Sequence, residues 1–133
     1  VRFVLDLGGS VGAFASALHK MYGDRLITTT SNLLHTLDGT SRAPFNEFLW
    51  ARGLPHVVFD MYSFFPFGDS TFDVIHSSSA FHLGYPNATL LEIQRVLRAS
   101  GYVLLRSAGH GSLVGVAQFA AHMGWQKMHQ MHD

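Results

Sequence analysis

Five residues, Val1-Arg2-Phe3-Val4-Leu5, read as a strand that runs into Asp6. Gly8-Gly9-Ser10-Val11-Gly12 then breaks it, and Phe14, Leu18 and Met21 follow at helical spacing. A glycine turn between a strand and a helix lets backbone approach a ligand with no Cβ in the way. The helix N-terminus behind it offers free N–H groups and a partial positive charge. In an open α/β sheet such a turn lies beyond the carboxyl ends of the strands, where ligands bind at the point of reversed strand order.

The same rhythm continues along the chain. Residues 26–30 predict a second strand and 32–42 a loop. Pro44 opens a helix to about Arg52 that Gly53 stops, and 57–59 give a short strand ending at Asp60. After the turn-rich stretch 64–69, residues 72–76 read as a strand and 87–98 as a helix stopped by Ser100-Gly101. A strand at 102–106, a linker at 107–111 and a helix at 112–122 follow, and 125–131 read as the opening of a sixth strand. Strands alternating with helices predict an α/β fold, a Rossmann-like three-layer sandwich with a mostly parallel sheet covered on both faces. At 133 residues the chain is expected to be one domain.

Composition removes several functions. Nine basic and nine acidic side chains cancel, and no Lys/Arg run is present to track a phosphate backbone, so no nucleic-acid partner is expected. The chain has no cysteine, which excludes disulfides, thiolate metal sites and cysteine nucleophiles. The nine histidines show no paired metalloprotease spacing, so no metal is expected. No apolar run reaches the roughly 18 residues of a membrane span. A charged fraction of 14%, against roughly 25% in ordinary domains, points to buried sheet or missing partners.

Three chemistries use a glycine turn of this kind. A P-loop needs Lys followed by Ser or Thr, and no such pair follows Gly12. A dinucleotide loop needs G-x-G-x-x-G, and counting from Gly8 gives Ser10 and Ala13 at the later glycines. The stretch Asp6-Leu7-Gly8-Gly9-Ser10-Val11-Gly12 instead resembles the D-x-G-x-G-x-G loop of class I S-adenosylmethionine-dependent methyltransferases, with serine at the middle glycine. Residues 66–76, PFGDSTFDVIH, resemble that family's approach to its fourth strand, and 91–102, LEIQRVLRASGY, its helix and turn before the fifth. Residues 43–54 further resemble a group of plant methyltransferase-like proteins of unassigned substrate.

The resemblance implies S-adenosyl-L-methionine as cofactor and methyl transfer to a small-molecule acceptor. It also implies a truncated core, residues 1–133 lacking the family's N-terminal elements and last strand. Gly8, Gly9, Ser10 and Gly12 are then expected under the methionyl part of the cofactor, with Asp6 near its amino end. Asn32 stands where the family has a carboxylate for the ribose, and a plain turn residue is the competing reading. Asp60 stands where relatives hold the adenine amino group, with Met61 beside the ring; its alternative is a loop residue capping local backbone. His76 and Ser77 fall near the methyl-donor end. His76 reads either as a general base or as a strand-end residue filling space. Asp73 and Arg95 read as structural, an ion pair or cap at the sheet edge, and Phe64, Phe65 and Phe67 as packing. An inactive methyltransferase-like binding module is the rival function.

Overall fold

The computed structural model describes residues 2–32, 45–78, 86–106 and 113–128, with 26–32 known by their backbone. Most of the expected loop at 32–42, Pro44, the 107–111 linker and Ser112 lie outside the described residues. Five strands, β1 (Arg2–Leu7), β2 (Leu26–Asn32), β3 (His56–Val58), β4 (Phe72–Ser78) and β5 (Leu97–Arg106), form one sheet. Their order is β3-β2-β1-β4-β5, and every pairing is parallel. Parallel neighbours need crossovers, and helices α1 (Ala13–Tyr22), α2 (Phe45–Ala51), α3 (Asn87–Val96) and α4 (Val114–His122) occur between or after the strands. The Rossmann-like sandwich expected from the alternation is the fold observed. Strand order reverses between β1 and β4.

Alternation along β1 divides its side chains between two faces. Leu5 and Leu7 join Ile75 of β4 and Leu90, Ile93 and Val96 of α3 in the main core, on which Val116 and Phe119 of α4 pack. Val4 and Asp6 therefore point to the opposite face, where α1 lies. Ala15 is the buried residue of α1, a small side chain that brings the helix close to the sheet. Met21, expected on its apolar side, is 67% exposed.

Departures from expectation at the end of α3 and beyond α4 have identifiable reasons. α3 stops at Val96 rather than Arg98, because Leu97 turns extended (φ −81°, ψ 138°) and pairs with Phe72. Phe72 to Val74 on β4 then spans the same length as Leu97 to Tyr102 on β5, a bulge that contains Gly101. A Cβ on Gly101 would stand 2.7 Å from Leu97 Cδ1 and 2.8 Å from the Asp73 carbonyl oxygen. Gly101 serves close backbone approach within the sheet, not the end of a helix. Residues 125–128 of the expected sixth strand form none: the Trp125 N–H donates to the Ala120 carbonyl, and its side chain packs against the core.

Asp73 and Arg95 are structural, each with its own partners. Asp73 accepts the Phe3 N–H at 2.8 Å, Arg98 Nη1 at 3.0 and 2.9 Å, and Arg2 Nη1 at 3.1 Å, tying β1, β4 and β5 together at their amino ends. Arg95 makes a two-pronged pair with Glu92, whose carboxylate also accepts the Phe65 N–H at 2.8 Å. Its remaining N–H groups reach the carbonyls of Phe65 and Phe67 and the Asp69 carboxylate. Phe65 is fully buried and Phe67 packs edge-on against Phe72. Phe64, expected to pack, is 67% exposed and lies under the Arg95 guanidinium, 4.3 Å from it.

These contacts predict acid sensitivity. The Phe3 N–H, then Arg98 and Arg2, hold the Asp73 carboxyl below its ordinary range against the opposing effect of burial. Arg95 and then the Phe65 N–H do the same for Glu92. A carboxyl lowered in the folded state contributes stability that is complete above its unfolded pKa, about 4, and is lost as pH falls through the folded value. Melting temperature should therefore fall steadily once pH drops below about 4. Asp73→Asn should flatten that slope; an unchanged slope would show that Asp73 is not a source of it.

Candidate functional site

The site starts where β1 ends. The chain leaves Leu7 through three left-handed residues, Gly8 (φ 67°), Ser10 (φ 53°) and Gly12 (φ 77°). Ser10 thus adopts the backbone of the glycine it replaces in the resembling loop, at a cost of roughly 1–2 kcal/mol. The Gly12 N–H closes the turn on the Gly9 carbonyl at 2.9 Å, and the Ser16 N–H bonds the Gly12 carbonyl at 2.8 Å to open α1.

Gly12 is also a packing point. A Cβ there would lie 2.5 Å from Leu49 Cδ2 and 2.6 Å from Leu54 Cδ1. Leu49 is the buried residue of α2, and Leu54 follows the left-handed Gly53 that ends that helix. Arg52 Nη1 adds a hydrogen bond to the Val11 carbonyl at 2.8 Å. α2 and the turn after it brace the glycine loop from behind, a role that neither segment signals in sequence.

Across the strand-order reversal, Asp6 and His76 are register partners in β1 and β4, so their side chains share a face. His76 Nδ1 lies 2.7 Å from Asp6 Oδ1. A carboxylate can only accept, so Nδ1 carries the proton. The Phe14 ring stacks on the imidazole at 3.8 Å between centroids and 21° between planes. The Asp6 side chain is 2% exposed and that of His76 18%. Asp6 Oδ2 is buried with no hydrogen-bond partner among the described residues, a costly arrangement unless a ligand supplies a donor. Asp6, His76 and Phe14, with Gly8, Gly9, Ser10, Ala13 and Ser78, line a cavity of about 290 Å³.

The remaining expected residues fall in different places. Ser77 is in register with Leu7, is fully buried and does not line the cavity; Ser78, one residue on, does. Met61 is 4% exposed within the main core, and its carbonyl accepts the Thr89 hydroxyl at 3.0 Å. Asp60 is exposed and closes a local turn, its Oδ1 accepting the Tyr62 N–H at 2.9 Å. Asn32 is the last residue of β2, paired with Val58. Phe14 and Ala13 were legible only as helix residues, and nothing in their spacing distinguishes cavity lining from core. Among the described residues no cluster of His, Cys, Asp or Glu could hold a metal, and no helix is long and apolar enough to cross a membrane.

Residues 5–105 match the family model described as "Methyltransferase domain". The chain is 28% identical over 109 residues to the Arabidopsis thaliana protein "Probable methyltransferase At1g29790", covering 79% of this chain and 26% of that one. It is 29% identical over 129 residues to "Probable methyltransferase PMT2" of the same plant, covering 93% and 19%. The chain thus spans about a quarter and a fifth of these curated relatives. Its backbone is similar to that of a SAM dependent methyltransferase from Aquifex aeolicus, with a TM-score of 0.65, 24% identity, and 92% and 71% of the two chains covered. The cofactor implied is S-adenosyl-L-methionine, and the residues present fit it: an unpaired buried carboxylate oxygen suits an ammonium, and the left-handed glycine turn leaves room beside it. With the strand order, the loop after β1 and the match over most of its length in agreement, the chain belongs to the methyltransferase domain family.

Proposed function

We propose that this chain holds S-adenosyl-L-methionine for methyl transfer to a small-molecule acceptor. The observation that carries the reading is the buried, unpartnered Asp6 Oδ2 beneath the glycine loop at the β1/β4 reversal. When bound, the cofactor supplies an electrophilic methyl group on a sulfonium. Asp6 would hold its ammonium, and the loop Gly8 to Gly12 would let backbone approach the chain linking ammonium and sulfur. Asn32 ends β2 and Asp60 follows β3 at the same end of the sheet, and we assign them to the ribose and the adenine. Transfer itself asks mainly for proximity and alignment, which a fixed loop and braced helix provide. The two Arabidopsis relatives and the stretch 43–54 support a place among plant methyltransferase-like proteins.

One observation favours a second reading, a binding module without turnover. His76 already occupies one oxygen of Asp6. Calorimetric titration with S-adenosylmethionine and S-adenosylhomocysteine tests the first reading. Saturable binding is expected, weakened at least about 100-fold, or 2.7 kcal/mol, by Gly8→Arg, whose side chain would enter the cavity. Absence of binding by a folded chain would reject the cofactor site and favour the second reading.

A further inference from the structure

The Asp6–His76 pair has a chemical consequence beyond cofactor binding. Because Nδ1 carries the proton donated to Asp6, the neutral ring presents its lone pair at the other nitrogen, Nε2. No described residue partners Nε2, and His76 lines the cavity. Two neighbours fix the ring: the carboxylate sets its tautomer and rotation, and the Phe14 face at 3.8 Å sets its plane. A histidine that merely fills space needs neither a buried carboxylate on one nitrogen nor a place in the wall of a cavity. A buried carboxylate behind an imidazole is the arrangement that makes it a proton acceptor whose cationic form is stabilised as it arises.

Resting on the methyltransferase reading, we propose that the acceptor is a hydroxyl compound, that His76 Nε2 takes its proton, and that Asp6 positions the ring. As the acceptor oxygen forms its bond to the methyl carbon, the carbon–sulfur bond breaks and its electron pair stays on sulfur, leaving neutral S-adenosylhomocysteine. The hydroxyl proton passes to Nε2. The positive charge that leaves the sulfonium thus reappears on an imidazolium already paired with Asp6, and it is discharged when Nε2 releases the proton to water. A carboxylate acceptor carries no proton at neutral pH and has no use for this base. A hydroxyl, whose proton is held far more tightly, does.

The tautomer is measured directly on the wild-type chain with nitrogen-15-labelled histidine. At about pH 9, where an ordinary imidazole is neutral, His76 is expected to be protonated at Nδ1 and bare at Nε2, and Asp6→Asn is expected to lose that preference. A proton on Nε2 in the wild type would overturn the proposal without reference to turnover. The acceptor class is read with p-nitrophenol, whose ionised form absorbs visibly, added to the chain saturated with S-adenosylhomocysteine. The phenol is expected to bind ionised below its solution pKa, and His76→Gln to lower the ionised fraction at least about tenfold, one pKa unit. Failure to bind, binding as the neutral phenol, or tighter binding of p-nitrobenzoate would each overturn the hydroxyl assignment. A chain that binds no S-adenosylhomocysteine would instead reject the underlying reading, which keeps the two failures apart.

Discussion

Replacing Arg95 with alanine is expected to cost about 3 kcal/mol of unfolding free energy, the lower end of the range found when one member of a buried ion pair is removed, because Arg95 and Glu92 are part-buried. The side chain makes five hydrogen bonds, and its loss strands Glu92, which is 17% exposed, together with the carbonyls of Phe65 and Phe67. It also frees the segment carrying Phe64 to Asp69, which folds over α3 and supplies Phe65 to the core. Domains of this kind have about 5–15 kcal/mol in total, so the variant should be marginal at room temperature. Urea denaturation measures it. Arg95→Lys, which keeps charge but not the planar fork, should lose an intermediate amount. A loss under about 1 kcal/mol for alanine would mean that the network behaves as a surface pair.

Gly12→Ala is expected to cost about 2–4 kcal/mol, combining a left-handed backbone with overpacking against Leu49 and Leu54. Gly124→Ala, just past the end of α4, isolates the first component: its φ is 85° and a Cβ there meets nothing within 4 Å, so about 1–2 kcal/mol is expected. The difference between the variants measures how tightly α2 braces the loop. Because the brace sits directly behind the cavity, Gly12→Ala should also weaken S-adenosylhomocysteine binding while Gly124→Ala, which lies outside the cavity lining, leaves it unchanged. Equal stability losses would show that Leu49 and Leu54 yield freely and that α2 does not hold the loop.

Period and punctuation made β1, β4 and the helices readable within a few residues, because each carries its own apolar pattern and its own glycine or proline signals. What failed depended on partners distant in sequence. Val96-Leu97-Arg98 suits helix or strand equally, and the choice was made by Phe72, which offers Leu97 a pairing partner. Met61 follows a strand-end aspartate and reads as lining, yet the Thr89 hydroxyl on α3 holds its carbonyl inside the core. At the site, the glycine loop and the neighbourhood of His76 were legible as local motifs. That Asp6 and His76 touch was not, since it follows from the register of two strands far apart in the chain. The same register explains Ser77 and Ser78: a period of two sends adjacent residues to opposite faces.

The Asp6–His76 hydrogen bond joins residues 70 positions apart, and so does the Phe3–Asp73 bond at the other end of the same strand pair. Before β4 docks on β1, the nascent polypeptide can possess its glycine turn but no cavity, since one wall belongs to a strand that must first close a loop over all the intervening residues. Such distant pairings are slow to form compared with local helices. A molecule that grips both Asp6 and His76 therefore recognises only chains whose sheet is complete, and by mass action it draws the population toward them. Ligand saturation should accordingly slow unfolding wherever separation of β1 from β4 limits the rate, making occupancy of the pocket a safeguard on the lifetime of the folded molecule.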